Sequence, residues 1–157
     1  MASGEVIREA ATELFLRKGY LGTSMDEIAA QAGVSKQTVY THFADKEQLF
    51  TDLVRSTMGV ADEFIQVVTD RLPETDDLER DLGELARLYV TSVIQPRVLQ
   101  LRRLVIGEAG RFPELARAYY ERAPDRVIGT LTSCLRRLRE RRLLHIKDPL
   151  LAASHLT

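Results

Sequence analysis

The chain has 157 residues, 45% of them hydrophobic and 29% charged, with a formal net charge of −1. That length and balance suit one or two small globular domains with a real core, and they argue against a protein that coats nucleic acid indiscriminately. No apolar run approaches the roughly 20 residues of a membrane span, and the first residues form no signal peptide, so the expected location is cytoplasmic with no membrane partner.

The pattern is helical almost throughout. A first helix is predicted from about Gly4 to Lys18. Val6, Ile7, Ala10, Ala11, Leu14 and Phe15 form its apolar stripe and Gly19 its stop. Ser24 followed by Glu27 is a capping box that opens a second helix. Ile28, Ala29 and Ala32 give that helix an apolar face, and Gly33 ends it in the left-handed conformation. Ser35 caps a third helix only two residues later, and Asp45 with Gln48 opens a fourth. Two short helices joined by a tight glycine-containing turn form a helix-turn-helix.

The third helix carries the functional pattern. Lys36, Gln37, Thr38, Tyr40, Thr41 and His42 are hydrogen-bonding residues of suitable reach, while Val39 and Phe43, four apart, can face inward. Ile28 to Ala44 contains no acidic residue, as a helix offered to phosphates requires. Lys36 and Gln37 lie in the first turn, the part of a recognition helix that reaches base edges.

The fourth helix is predicted from Asp45 to about Leu72. Leu49, Phe50, Leu53 and Val54 suit the first domain, and Val60, Ala61, Phe64, Ile65 and Val68 suit a second. A fifth helix spans about Asp77 to Ile94, a sixth Val98 to Glu108, and a seventh Pro113 to Arg122. An eighth runs from Pro124 to Leu144, and a ninth begins at Asp148 and Pro149. Cys134, the single cysteine, excludes an internal disulfide and reads as a small buried hydrophobe. The charge is unevenly spread: residues 1–55 net −2, 56–96 net −6 and 97–142 net +7. The arginine-rich run Arg136–Arg142 reads as a solvated face of the eighth helix, or as a partner for the acidic segment 56–96.

The motifs A-x-x-L-F-x-x-x-G-Y (Ala11–Tyr20), T-S-x-x-x-I-A-x-x-A-G-V-S (Thr23–Ser35) and T-V-Y-x-H-F-x-x-K-E-x-L (Thr38–Leu49) resemble the DNA-binding domain of TetR-family transcriptional regulators over about residues 4–50. Residues 101–121, LRRLVIGEAGRFPELARAYYE, resemble the regulatory domains of AcrR- or AefR-like members. The resemblance implies an all-α fold: a three-helix helix-turn-helix domain over 1–46, then a helical ligand-binding and dimerisation domain over 47–157. In such proteins the last two long helices form the dimer interface, so the chain is expected to stop within one of them.

Carried over residue by residue, the resemblance places Lys36, Gln37 and Thr38 in the major groove of a palindromic operator. It places Ser24, Tyr40, His42 and Lys46 at backbone phosphate. Asp26 stands where TetR itself has a basic residue, which puts a contact there in doubt. A small, largely apolar effector is implied in the second domain, and Phe64, Tyr89, Val93, Leu104, Val105, Glu108 and Tyr119 are the candidate lining residues. The expected function is a homodimeric repressor released from double-stranded DNA by that effector. A ligand-independent regulator and a helical protein-interaction module are the alternatives. His42, His145 and His155 lie far apart, and there is no nucleophile motif, phosphate loop or metal-ligand spacing. No catalysis, cofactor or metal is therefore expected.

Overall fold

The computed structural model describes residues 3–157 as helices and their connections. The helices are α1 (Ser3–Lys18), α2 (Met25–Ala32), α3 (Lys36–His42), α4 (Lys46–Arg71), α5 (Leu78–Leu88), α6 (Pro96–Gly107), α7 (Pro113–Arg122), α8 (Pro124–Glu140) and α9 (Pro149–Leu156). The chain divides into two compact units: residues 3–57 with Leu99–Ala116, and Met58–Val98 with Arg117–Thr157. The all-α fold predicted from sequence is the one formed.

In the first unit, α1, α2 and α3 pack on one another. Ile7, Ala11, Phe15, Ile28 and Val39 are fully buried between them. Leu49, Phe50, Leu53 and Val54 of α4 are buried as well, at 0–3% exposure. Phe15, Tyr20 and Phe50 form an aromatic cluster, and Phe112 joins it with its ring 4.9 Å from Tyr20 and 5.3 Å from Phe50. These contacts move the boundary expected between 46 and 47. The apolar stripe at the start of α4 has its core here, and the segment around Phe112 closes that core from elsewhere in the sequence. Gly22, in the α1–α2 link, is a point of close approach: a Cβ there would meet the Lys18 carbonyl oxygen at 2.4 Å.

In the second unit, Phe64, Val68, Leu72, Leu85, Leu131, Leu135, Leu138 and Ala153 are buried, and α8 packs against α9. α5 ends earlier than predicted, because Tyr89–Val93 form a π-helical turn. α8 also stops early, at Glu140 in place of Leu144. Arg142 takes a left-handed φ of 60°, and Arg142 N and Leu143 N donate to Arg139 O and Leu138 O. Within the arginine run, Arg141 donates to Pro73 O and Arg139 to Lys147 O. Two arginines of the run therefore serve backbone carbonyls, one just after α4 and one in the α8–α9 link. Arg141 thus reaches the backbone of the acidic segment, whereas the Asp62 carboxylate there is paired from outside the run, by Arg122 and Arg126. No helix among the described residues is long and apolar enough to cross a membrane.

Candidate nucleic-acid interface and effector cavity

The caps fix the orientation of α3. Ser24 Oγ accepts from Glu27 N at 3.2 Å, and Glu27 Oε2 accepts from Ser24 N at 2.9 Å, the reciprocal pair expected from sequence. Gly33, at φ 66°, closes α2, and Ser35 Oγ accepts from Thr38 N at 3.0 Å to open α3. Asp45 and Gln48 cap the following helix, accepting from Gln48 N at 2.7 Å and Ala44 N at 2.6 Å. With Val39 fully buried and Phe43 5% exposed, α3 is pinned by its inner face. Lys36, Gln37, Tyr40 and Thr41 are left exposed, and Tyr40 is 52% accessible.

The remaining candidate residues sit differently. The Ser24 hydroxyl donates to Glu27 Oε2 at 3.1 Å and so belongs to the cap. The Thr38 hydroxyl shares a 2.8 Å hydrogen bond with Ser35 Oγ. His42 faces the first turn of α1, where a Cβ on Gly4 would lie 3.5 Å from its Nδ1. Lys46 departs furthest from a plain phosphate donor. Its ammonium donates to Tyr20 O at 2.9 Å and Thr23 O at 2.7 Å, and lies 4.4 Å from the centre of the Tyr20 ring. Two ion pairs were not legible in the sequence. Arg8 Nε is 2.6 Å from Asp52 Oδ2 and ties α1 to α4. Asp26 Oδ2 lies 2.5 Å from Lys36 Nζ. Asp26 was visible as a departure from the TetR pattern, but its partner was not, since they belong to different helices.

Glu27 gives this surface a pH signature. The Lys18 ammonium, 2.5 Å from Oε1, and then the backbone and hydroxyl of Ser24 hold its carboxyl down from 4.5 to about 2. A depressed carboxyl stabilises the fold fully above its unfolded pKa and loses that contribution as pH falls through the folded value. The melting temperature is therefore expected to fall on acidification from about 4.5 towards about 2. In Glu27→Gln that component of the pH profile should be missing, which a melting series in dilute buffer would show.

The second unit contains a cavity of about 540 Å³ between α5, the π turn, α8 and α9. Phe64 and Tyr89 line it as expected, their rings 5.2 Å apart. Val93 does not line it, whereas Val90 and Ile94 do. The π turn inserts one residue into the helical register, which moves the inward position from 93 to 94. Tyr119 is buried, at 5% exposure, outside the lining. Leu104, Val105 and Glu108 belong to the first unit. There Val105 is core, Leu104 borders a separate crevice with Phe15 and Arg103, and Glu108 lies 3.6 Å from Arg111. These three were expected to line the effector site, but no local pattern says which core the sixth helix enters. The cavity wall is mostly aliphatic. Its polar groups are His155, Thr157 and the Tyr89 hydroxyl, which donates to Thr157 O at 3.1 Å.

Comparison with known proteins places this architecture. Residues 7–53 match the model of the bacterial regulatory proteins of the tetR family, and residues 80–157 match that of the AefR-like transcriptional repressor C-terminal domain. A TetR-family regulator structure from Mesorhizobium loti MAFF303099 is 46% identical, with TM-score 0.76, over 98% of this chain and 76% of that one. The structure of the flavonoid-responsive regulator FrrA is 35% identical, with TM-score 0.66, over 97% and 76%. The HTH-type regulator YhgD of Bacillus subtilis is 34% identical over 100 residues, 61% of this chain. The match spans 51% of YhgD, about half the length of that relative. With its capped helix-turn-helix, its all-helical second unit and these relatives, the chain belongs to the TetR family of bacterial transcriptional regulators and is not an enzyme.

Proposed function

We propose that the chain acts in the cytoplasm as a homodimeric repressor, released from a palindromic operator by a small, largely apolar ligand held in the second unit. The observation that carries the DNA half is the outer face of α3. Lys36, Gln37 and Tyr40 project from a helix whose ends are capped and whose inner residue, Val39, is fully buried. Lysine suits guanine O6 and N7, glutamine suits adenine, and the tyrosine hydroxyl suits phosphate. Thr38, Ser24 and His42 are second-rank contacts in this reading, because each already has a local role. Two such heads reach successive major grooves when their α3 helices lie about 34–36 Å apart.

For the ligand half, the cavity lining contains no Lys, Arg, Asp or Glu. Apart from the His155 imidazole it offers no charge-bearing side chain to a phosphate, and none to a fixed cation. A neutral molecule with an aromatic or aliphatic body and one or two hydrogen-bonding groups fits best, and the likeness to FrrA makes a flavonoid the first to try. The ligand need only prefer the DNA-incompetent state; a 10²-fold preference supplies about 2.7 kcal/mol of coupling. The test is operator release followed by fluorescence anisotropy with a neutral flavonoid, a fatty acyl compound and a lipophilic cation. Release by the flavonoid but not the cation supports the reading. Release by none of the three favours a regulator that works without a ligand.

A further inference from the structure

Of the two carboxylates in the helix-turn-helix, Asp26 and Glu27, one lies against the lysine proposed to enter the groove. Asp26, in the first turn of α2, places Oδ2 2.5 Å from Nζ of Lys36, in the first turn of α3. Both side chains are open to solvent, at 64% for Lys36 and 58% for Asp26. A group within hydrogen-bond distance of the lysine that addresses the major groove must itself meet the groove when the helix enters. On arrival Lys36 can keep Asp26 and give up the DNA, or leave Asp26 and take an acceptor on the duplex. In the second case the carboxylate faces a surface of phosphates and base acceptors unless it finds a donor. The major groove has only two kinds of donor, the N4 amino group of cytosine and the N6 amino group of adenine. A G·C pair supplies both needs at once: guanine O6 and N7 accept from lysine, and cytosine N4 donates to a carboxylate.

We infer that Asp26 is a specificity-determining residue, which keeps Lys36 occupied on non-specific DNA and releases it where the groove offers the carboxylate an amino donor. This rests on the reading that α3 enters the major groove. The mechanism is a competition. On an arbitrary sequence the ion pair persists with no net charge, so the cation adds nothing to phosphate attraction. On the operator each partner exchanges the other for a base edge. Asp26 thus weakens binding everywhere and weakens it least at the correct site, which raises the ratio of specific to non-specific affinity. Glu27, its neighbour, is not available for the role, because its two oxygens are held by Lys18 and Ser24.

The experiment measures binding of the full chain to a duplex selected from a random pool and to a fixed unselected duplex, across a salt series. The proteins are wild type, Asp26→Asn, Lys36→Ala and the double variant, with Asp26→Ala as a companion and a melting curve for each. Asp26→Asn is expected to bind the unselected duplex roughly fivefold tighter at low salt, with a log–log salt slope steeper by about one unit. Its gain on the selected duplex should be smaller, so the ratio of the two affinities falls. In the Lys36→Ala background the unpaired carboxylate repels both duplexes alike, so the same substitution should tighten both by a similar factor and leave their ratio unchanged. Unchanged affinity and slope on unselected DNA in Asp26→Asn and Asp26→Ala would overturn the inference. So would a change in the affinity ratio of equal size with and without Lys36, which would make Asp26 a charge acting alone. A wild-type chain that retains no duplex at any salt would overturn the groove reading itself, and this inference with it.

Discussion

Phe50→Ala is expected to lower the stability of the first unit by about 3–5 kcal/mol, as full truncation of a buried aromatic does, and to abolish DNA retention at 37 °C. Phe50 is 1% exposed. Its ring lies 5.4 Å from Phe15, 5.1 Å from Tyr20 and 5.3 Å from Phe112. Truncation removes the member common to all three contacts and leaves a cavity among rings that cannot collapse without moving the α1–α2 link. The link carries Ser24, and Ser24 sets the start of α2, so the loss should reach α3 through the caps. Thermal melting by circular dichroism, with DNA retention on the same samples, measures both effects. Phe50→Leu should recover much of the stability. A melting temperature for Phe50→Ala within about a degree of wild type would show that the aromatic cluster is not a core.

Lys46→Met should cost about 2–3 kcal/mol, and most of that loss is structural. The ammonium caps Tyr20 O and Thr23 O and sits against the Tyr20 ring. Methionine keeps the apolar stem but leaves two carbonyls of the link without their charged donor. A lysine acting chiefly on phosphate would instead lower the salt slope by about one unit and leave melting nearly unchanged. Lys46→Met should show a lower melting temperature, faster amide exchange over residues 19–24, and a salt slope within about half a unit of wild type. A full unit of slope lost at constant stability would restore Lys46 as a direct phosphate contact.

These two residues also show what the sequence could and could not reveal. Ser24, Glu27, Gly33, Ser35, Asp45 and Gln48 act within three or four positions of themselves, so spacing alone located three helix starts and a turn. Val39 and Phe43 were legible as the inner face of α3 for the same reason. Lys46 capping the link at Tyr20, Asp26 meeting Lys36 and Phe112 entering the Phe50 cluster all join distant positions, and no local pattern carries them. The π turn at Tyr89–Val93 and the left-handed Arg142 were missed for another reason. Neither segment holds the glycine or proline that usually marks a change of register, and they moved expected boundaries or lining residues by one to six places. The likeness to TetR-family heads covered the first unit well, whereas the effector residues depended on which core each apolar face enters.

The central claim is that the outer face of α3 reads a major groove, and methylation interference on a selected duplex tests it most directly. Methylating a guanine N7 in each of two half-sites, about 10–10.5 base pairs apart or a multiple of that, should block binding by wild type. The interference should disappear in Lys36→Ala, which should bind with lower affinity and relaxed preference at that pair. Full affinity in Lys36→Ala with an unchanged interference pattern, or a footprint confined to the minor groove, would contradict it.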